Sequence, residues 1–170
     1  MRRVVTGHTP DGKAIIASDT EVDPLAPSSG ICVLWSADET PTFPDNGSPR
    51  PYSTYFTPVG GFRFGTFTVQ PQSFVQPMNL KLMETIKEVE RKFPDVFKYM
   101  EKDHPGMHTT DTIDFEYVIS GEVWLELDDG KEVHLNAGDT VVQNGTRHAW
   151  RNKSSKPCRM VVCIIGARRK

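Results

Sequence analysis

The last third of the chain alternates between apolar and polar residues at every second position. Runs at 112–119, 122–127, 131–135, 140–143, 148–152 and 159–165 each have the length of one strand. Turn residues separate them: Asp128-Asp129-Gly130, Asn136-Ala137-Gly138-Asp139, Asn144-Gly145, and the stretch from Lys153 to Pro157. Short strands at this regular spacing predict a sandwich or barrel rather than a parallel α/β sheet.

Upstream the pattern is more varied. Runs of β-prone residues at 2–6 and 13–18 flank Pro10-Asp11-Gly12 and predict a hairpin. A strand at 31–35 follows Ser28-Ser29-Gly30, and the proline-rich stretch 40–58 reads as a long irregular loop, functional or wrapped over the barrel surface. Residues 60–69 alternate again until Pro71 and Pro77 end the run, with Phe62, Phe64 and Thr66 on one side and Arg63, Gly65 and Phe67 on the other. From 78 to 101 the period lengthens: Leu80, Met83, Ile86, Val89 and Phe93 recur at helical spacing, opposite Lys81, Glu84, Lys87, Glu88 and Arg91. An amphipathic helix is predicted there, broken near Phe93-Pro94, with a short second helix through Tyr99. Its Met and Phe stripe reads as core material.

Composition narrows the class. The 170 residues suit one domain spanning 1–170, with N-terminal strands and loop in 1–76, a helical segment in 78–102 and barrel strands in 106–165. With 37% apolar residues, 25% charged residues and a net charge of -2, the chain is not disordered by composition and is a poor partner for nucleic acid. Cys32, Cys158 and Cys163 form no CxxC pair, and an odd number argues against a closed disulfide framework. The N-terminus lacks a signal-peptide core, and no apolar run approaches the roughly 20 residues that span a bilayer. A cytoplasmic protein without a membrane partner is expected.

Residues 106–152, GMHTTDTIDFEYVISGEVWLELDDGKEVHLNAGDTVVQNGTRHAWRN, resemble the two consecutive motifs of the cupin superfamily. That family's first motif runs from a glycine-preceded His-x-His to a glutamate, then to a glycine seven residues on. With Gly121 as that glycine, Asp114 stands at the glutamate position, Thr110 at the second histidine and His108 at the first. The second motif opens at Gly138-Asp139, turns at Gly145 and closes on His148-x3-Asn152, one residue short and without the usual proline. The resemblance implies an all-β fold: a jelly-roll β-barrel, extended by the N-terminal hairpin and preceded by one or two α-helices. Together with the hairpin and Trp35, the segment is similar to small single-domain cupins encoded beside fungal polyketide synthases. Some of those are implicated in turning reduced polyketide chains into aromatic products. Specialised metabolism, a small-molecule substrate and a homodimer are what the resemblance implies.

Strand parity supplies candidate chemistry. Asp114, Glu116 and Val118 share one face, and the same parity carries His148, Trp150 and Asn152. Two imidazoles and a carboxylate, His108, His148 and Asp114, are the ligand set of a facial triad, able to hold one divalent ion (Zn, Fe, Mn or Ni) with positions open to substrate. Thr110 leaves that site one nitrogen short, so weaker binding or no metal is also open. In an alternative without chemistry, His108 caps backbone carbonyls and Asp114 pairs with Arg147 or Arg151. Glu116 is a further base or ligand, so the candidate catalytic set is His108, Asp114, His148 and Glu116. Thr110, Tyr117, Gln143, Trp150 and Asn152 are the candidate pocket residues, with Tyr117 and Trp150 as apolar wall and Gln143 and Asn152 orienting a ligand or a histidine. Phe62, Phe64 and Phe67 are expected to close one end of the barrel, and His8, His104 and His134 to lie at the surface or in loops.

Three functions remain open on this reading. One is acid/base chemistry on a small carbonyl metabolite, metal-assisted or not: dehydration, aldol closure with aromatisation, or decarboxylation. The others are a non-haem iron oxygenase and a non-catalytic small-ligand binder.

Overall fold

The computed structural model describes residues 1–23, 30–74 and 80–170, with backbone only at 80–82. Ser28, Ser29, Pro77 and the start of the helical segment at 78 lie outside the described residues. The elements in chain order are β1 (Arg2–His8), β2 (Ala14–Glu21), β3 (Cys32–Ala37), β4 (Phe62–Val69), α1 (Leu80–Lys92), β5 (Thr112–Ser120), β6 (Glu122–Glu126), β7 (Glu132–Asn136), β8 (Thr140–Gln143), β9 (Ala149–Arg151) and β10 (Cys158–Gly166). One sheet has the order β3-β4-β10-β5-β8, a second β7-β6-β9, and β1 and β2 form the expected hairpin. The two larger sheets make the jelly roll without joining into a closed barrel. No helix among the described residues is long and apolar enough to cross a membrane.

Alternation decides which residues meet between the sheets. On β5, Asp114, Glu116 and Val118 are buried while Phe115, Tyr117 and Ile119 face out. On β10, hydrogen-bonded to β4 and β5, Cys158, Met160, Val162 and Ile164 are buried. Val118, Val123, Leu125, Leu135, Cys158 and Met160 form one apolar cluster. Tyr55, Val89, Phe93, Val96, Val162 and Ile164 form another, and Phe67 packs against both. The helix supplies core through Val89, whereas Met83 and Ile86 of the expected stripe face out, 49% and 38% exposed.

The turn at Gly121 explains why that glycine sets the register of the first motif. Its φ is 79°, and a Cβ there would stand 2.6 Å from the Pro157 carbonyl oxygen, a conformation and an approach that only glycine tolerates.

Two local expectations fail. The second helix through Tyr99 does not form: α1 stops at Lys92 and residues 94–99 are turns. Pro94 has no N–H to continue the ladder, and Asp95 adopts a left-handed φ of 64°. Phe64 does not close the barrel, because its parity turns it outward, 41% exposed. The buried neighbour is Arg63, 1% exposed. Its guanidinium donates to the carbonyls of Ala37 (2.8 Å) and Thr54 (2.7 Å), pairs with Asp38 and lies 4.9 Å from the Tyr52 ring. That network pins the 52–57 loop against the sheet.

Candidate functional site

His108 and His148 are 40 residues apart and become direct neighbours through their main chains. The His108 N–H donates to the His148 carbonyl at 2.9 Å and the His148 N–H returns the bond at 3.0 Å. This reciprocal bridge places the two rings on one side, with centroids 4.2 Å apart. Each Nδ1 faces a carbonyl two residues back, Gly106 at 3.0 Å for His108 and Thr146 at 2.9 Å for His148. A carbonyl only accepts, so each Nδ1 carries the hydrogen and each Nε2 the lone pair. Burial holds both imidazoles below the ordinary histidine range, against weaker upward pulls from those carbonyls and, at His108, from Glu101. His148, 1% exposed and beside a second imidazole, is pushed down to about 4. Both rings are neutral at pH 7.

Asp114 and Glu116 follow one another on the inward face of β5, 5% and 6% exposed. Neither is met by an arginine: Arg147 bonds Glu101 and Asp128, and Arg151 bonds Glu126. Asp114 Oδ1 and Glu116 Oε2 are buried with no hydrogen-bond partner. Burial raises Asp114 to about 6, opposed by the Thr112 hydroxyl. Burial and the neighbouring Asp114 charge drive Glu116 well above the carboxylate range. Both pairs line one cavity of about 240 Å³. Its remaining described walls are mostly apolar: Tyr55, Phe56 and Phe67, with Trp150, Met100, Val162 and Ile164 among the rest.

The other pocket candidates fall elsewhere. Tyr117 is on the outer face, 43% exposed, because it has the opposite parity to Asp114 and Glu116. Thr110, Gln143 and Asn152 are buried but absent from the described lining of the cavity. The Thr110 hydroxyl bonds Thr112 at 2.8 Å, the Gln143 side chain accepts from Thr146, and the Asn152 amide donates to Val69 and Lys156 carbonyls. Trp150 is in place, and Phe67 is the one of the three β4 phenylalanines that reaches this cavity. His104 is exposed in a loop, and His134 is exposed and bonded to Glu122. His8 is half-buried in β1 instead, against the Asp45 carbonyl.

The structure brings the two imidazoles together, and Asp114 lines the same cavity. Among the described residues no three His, Cys, Asp or Glu side chains are placed to hold one metal ion. The main-chain bridge turns His108 and His148 toward each other, while Asp114 lies on β5 beside Gln143 of β8 and next to Glu116. The triad expected from spacing is not found as a metal-binding group among the described residues, although its three side chains line one cavity.

Sequence reading missed Tyr55, Phe56, Val96 and Met100. The first two stand in the proline-rich loop, where no periodicity marks a facing residue; its length was the only signal. Met100 is held at the cavity by an isolated bridge to His108, and the adjacent Glu101 is clamped by Arg147 at 2.6 and 2.7 Å.

Comparison with known proteins places the chain. Residues 96–165 match the family described as Cupin domain. The chain is 34% identical over 128 residues to Oryzines biosynthesis cluster protein J of Aspergillus oryzae, a match covering 69% of this chain and 70% of that protein. It is 50% identical over 48 residues to Phomopsin biosynthesis cluster protein C' of Diaporthe leptostromiformis, covering 28% of this chain and 25% of that protein. Among solved structures, a Cupin 2 conserved barrel domain protein from Salinispora arenicola aligns over 88% of this chain and 92% of its own, at 17% identity and a TM-score of 0.43. With the two motifs on facing strands and a relative matched over most of both lengths, the chain belongs to the cupin superfamily.

Proposed function

We propose that this cupin is an enzyme of specialised metabolism that carries out acid/base chemistry on a small carbonyl metabolite, using its own side chains. Similarity to proteins of fungal biosynthesis clusters supports the metabolic setting. One observation carries the chemistry: a pair of neutral imidazoles and two carboxyls, each with one oxygen unpartnered among the described residues, line the same small, mostly apolar cavity. In the proposed step, an Nε2 lone pair of His108 or His148 takes a proton from the carbon next to the carbonyl. The C–H electron pair becomes the enol double bond, and a protonated carboxyl of the Asp114–Glu116 pair gives its proton to the carbonyl oxygen. Dehydration and aldol closure both pass through such an enol. The divalent ion of the family is the alternative source of carbonyl polarisation.

Deuterium exchange next to the carbonyl of 4-hydroxyacetophenone, followed by NMR in D2O, tests this. The wild type is expected to accelerate exchange, His148→Ala to lose on the order of a hundredfold, and a chelator to change nothing. Exchange no faster than in buffer overturns the reading. So does exchange abolished by chelator and restored by a divalent metal.

A further inference from the structure

Tyr55 has no role in the step above, yet it stands in the same cavity. Its ring is fixed edge-on between Phe56 and Phe93, at 5.0 and 5.4 Å. The side chain is 9% exposed and lines the cavity. Burial and the charges of Asp114 and Glu116 hold its phenol proton in place, pushing the pKa well above the tyrosine range. Arg63 fixes the loop that carries it by gripping the Thr54 carbonyl. One phenol side chain therefore lines the same apolar cavity as two carboxyl oxygens unpartnered among the described residues, Asp114 Oδ1 and Glu116 Oε2.

The charge balance of that cavity is equally informative. Its described lining includes two acids and two neutral imidazoles, and neither lysine nor arginine. Along that described lining an anionic ligand would meet buried acids and no cation, whereas a neutral oxygen function would satisfy carboxyl oxygens that no described residue pairs.

We propose that Tyr55, Glu116 and Asp114 form a hydrogen-bonding pole that binds the carbonyl or hydroxyl oxygen of an uncharged aromatic or enolisable ligand and rejects carboxylates. Tyr55 is then a substrate-contacting, specificity-determining residue. The inference rests on the proposed use of the cavity, but it concerns which molecules bind rather than what happens to them.

Calorimetric titration of the full chain at pH 7 with 4-hydroxyacetophenone and with its anionic counterpart 4-hydroxybenzoate tests the pole. The ketone is expected to bind at least tenfold more tightly than the benzoate. Tyr55→Phe, which keeps the ring packing, is expected to lose about tenfold in ketone affinity, with an unchanged urea midpoint. Glu116→Leu removes the polar oxygens and is expected to weaken the ketone by a similar factor, while Glu116→Gln retains most of the binding. Benzoate binding as tight as ketone binding, Tyr55→Phe binding like the wild type, or no ketone binding by the wild type would each overturn the proposal. Ketone binding that depends on Tyr55, without proton exchange, counts against the acid/base reading alone.

Discussion

The two poles of the cavity respond to one cause in opposite directions. Removal from water moves the acids Asp114 and Glu116 up and the bases His108 and His148 down. Both shifts favour the neutral form. The poles differ in what holds them. The imidazoles are fixed by main-chain carbonyls and by a reciprocal backbone bridge, and keep only their lone pairs free. The carboxyls have oxygens that no described residue satisfies. The first pole is finished by folding, whereas the second keeps oxygens that the described residues leave open.

Disrupting the wall of the carboxyl pole gives the largest expected effect. Arg63→Leu removes a buried guanidinium from Asp38 and from the Ala37 and Thr54 carbonyls, at a cost of about 4 kcal/mol. Urea denaturation measures that loss. The 4.2 Å imidazole pair should persist in whatever remains folded; a change below about 1 kcal/mol would show that the network does not anchor the loop.

A smaller effect separates the poles by pH. Asp114 binds its proton more tightly folded than unfolded, between an ordinary 3.8 and about 6, so its contribution to stability falls as pH rises through that window. His148 binds its proton less tightly folded, at about 4 against 6.5, so its contribution rises with pH through its own window. The two slopes overlap between about 4 and 6 and offset one another. Asp114→Asn removes one of them and should gain on the wild type by on the order of 3 kcal/mol between pH 4 and 7. Parallel stability curves for the two proteins would refute the burial of an ionised Asp114.

The smallest effect is a control on parity. Tyr117→Ser, on the outer face, should alter stability by less than about 0.5 kcal/mol and leave ketone binding unchanged. A binding loss like that of Tyr55→Phe would bring Tyr117 back to the ligand.

What the sequence carried was periodic information. The six runs after Thr112 became β5 to β10 with small shifts at their ends, and parity placed Asp114, Glu116 and Trp150 toward the cavity. The same parity turns Tyr117 outward, because it alternates with Asp114 and Glu116. Motif spacing identified His108 and His148, because a strand pair converts a repeat of turns into proximity. It could not give the separation between Asp114 and those rings, which depends on how the sheets face one another. Tyr55 was beyond reach because its loop has no period; a buried arginine on a neighbouring strand positions it.

The i−2 carbonyls that hold each imidazole have a consequence for how such a protein diversifies. Since the tilt of both rings is written in peptide groups, whose chemistry is the same for any side chain, lineages can exchange the aromatic and aliphatic lining while the two nitrogens stay aimed. Change in the lining can then accumulate without moving the two rings.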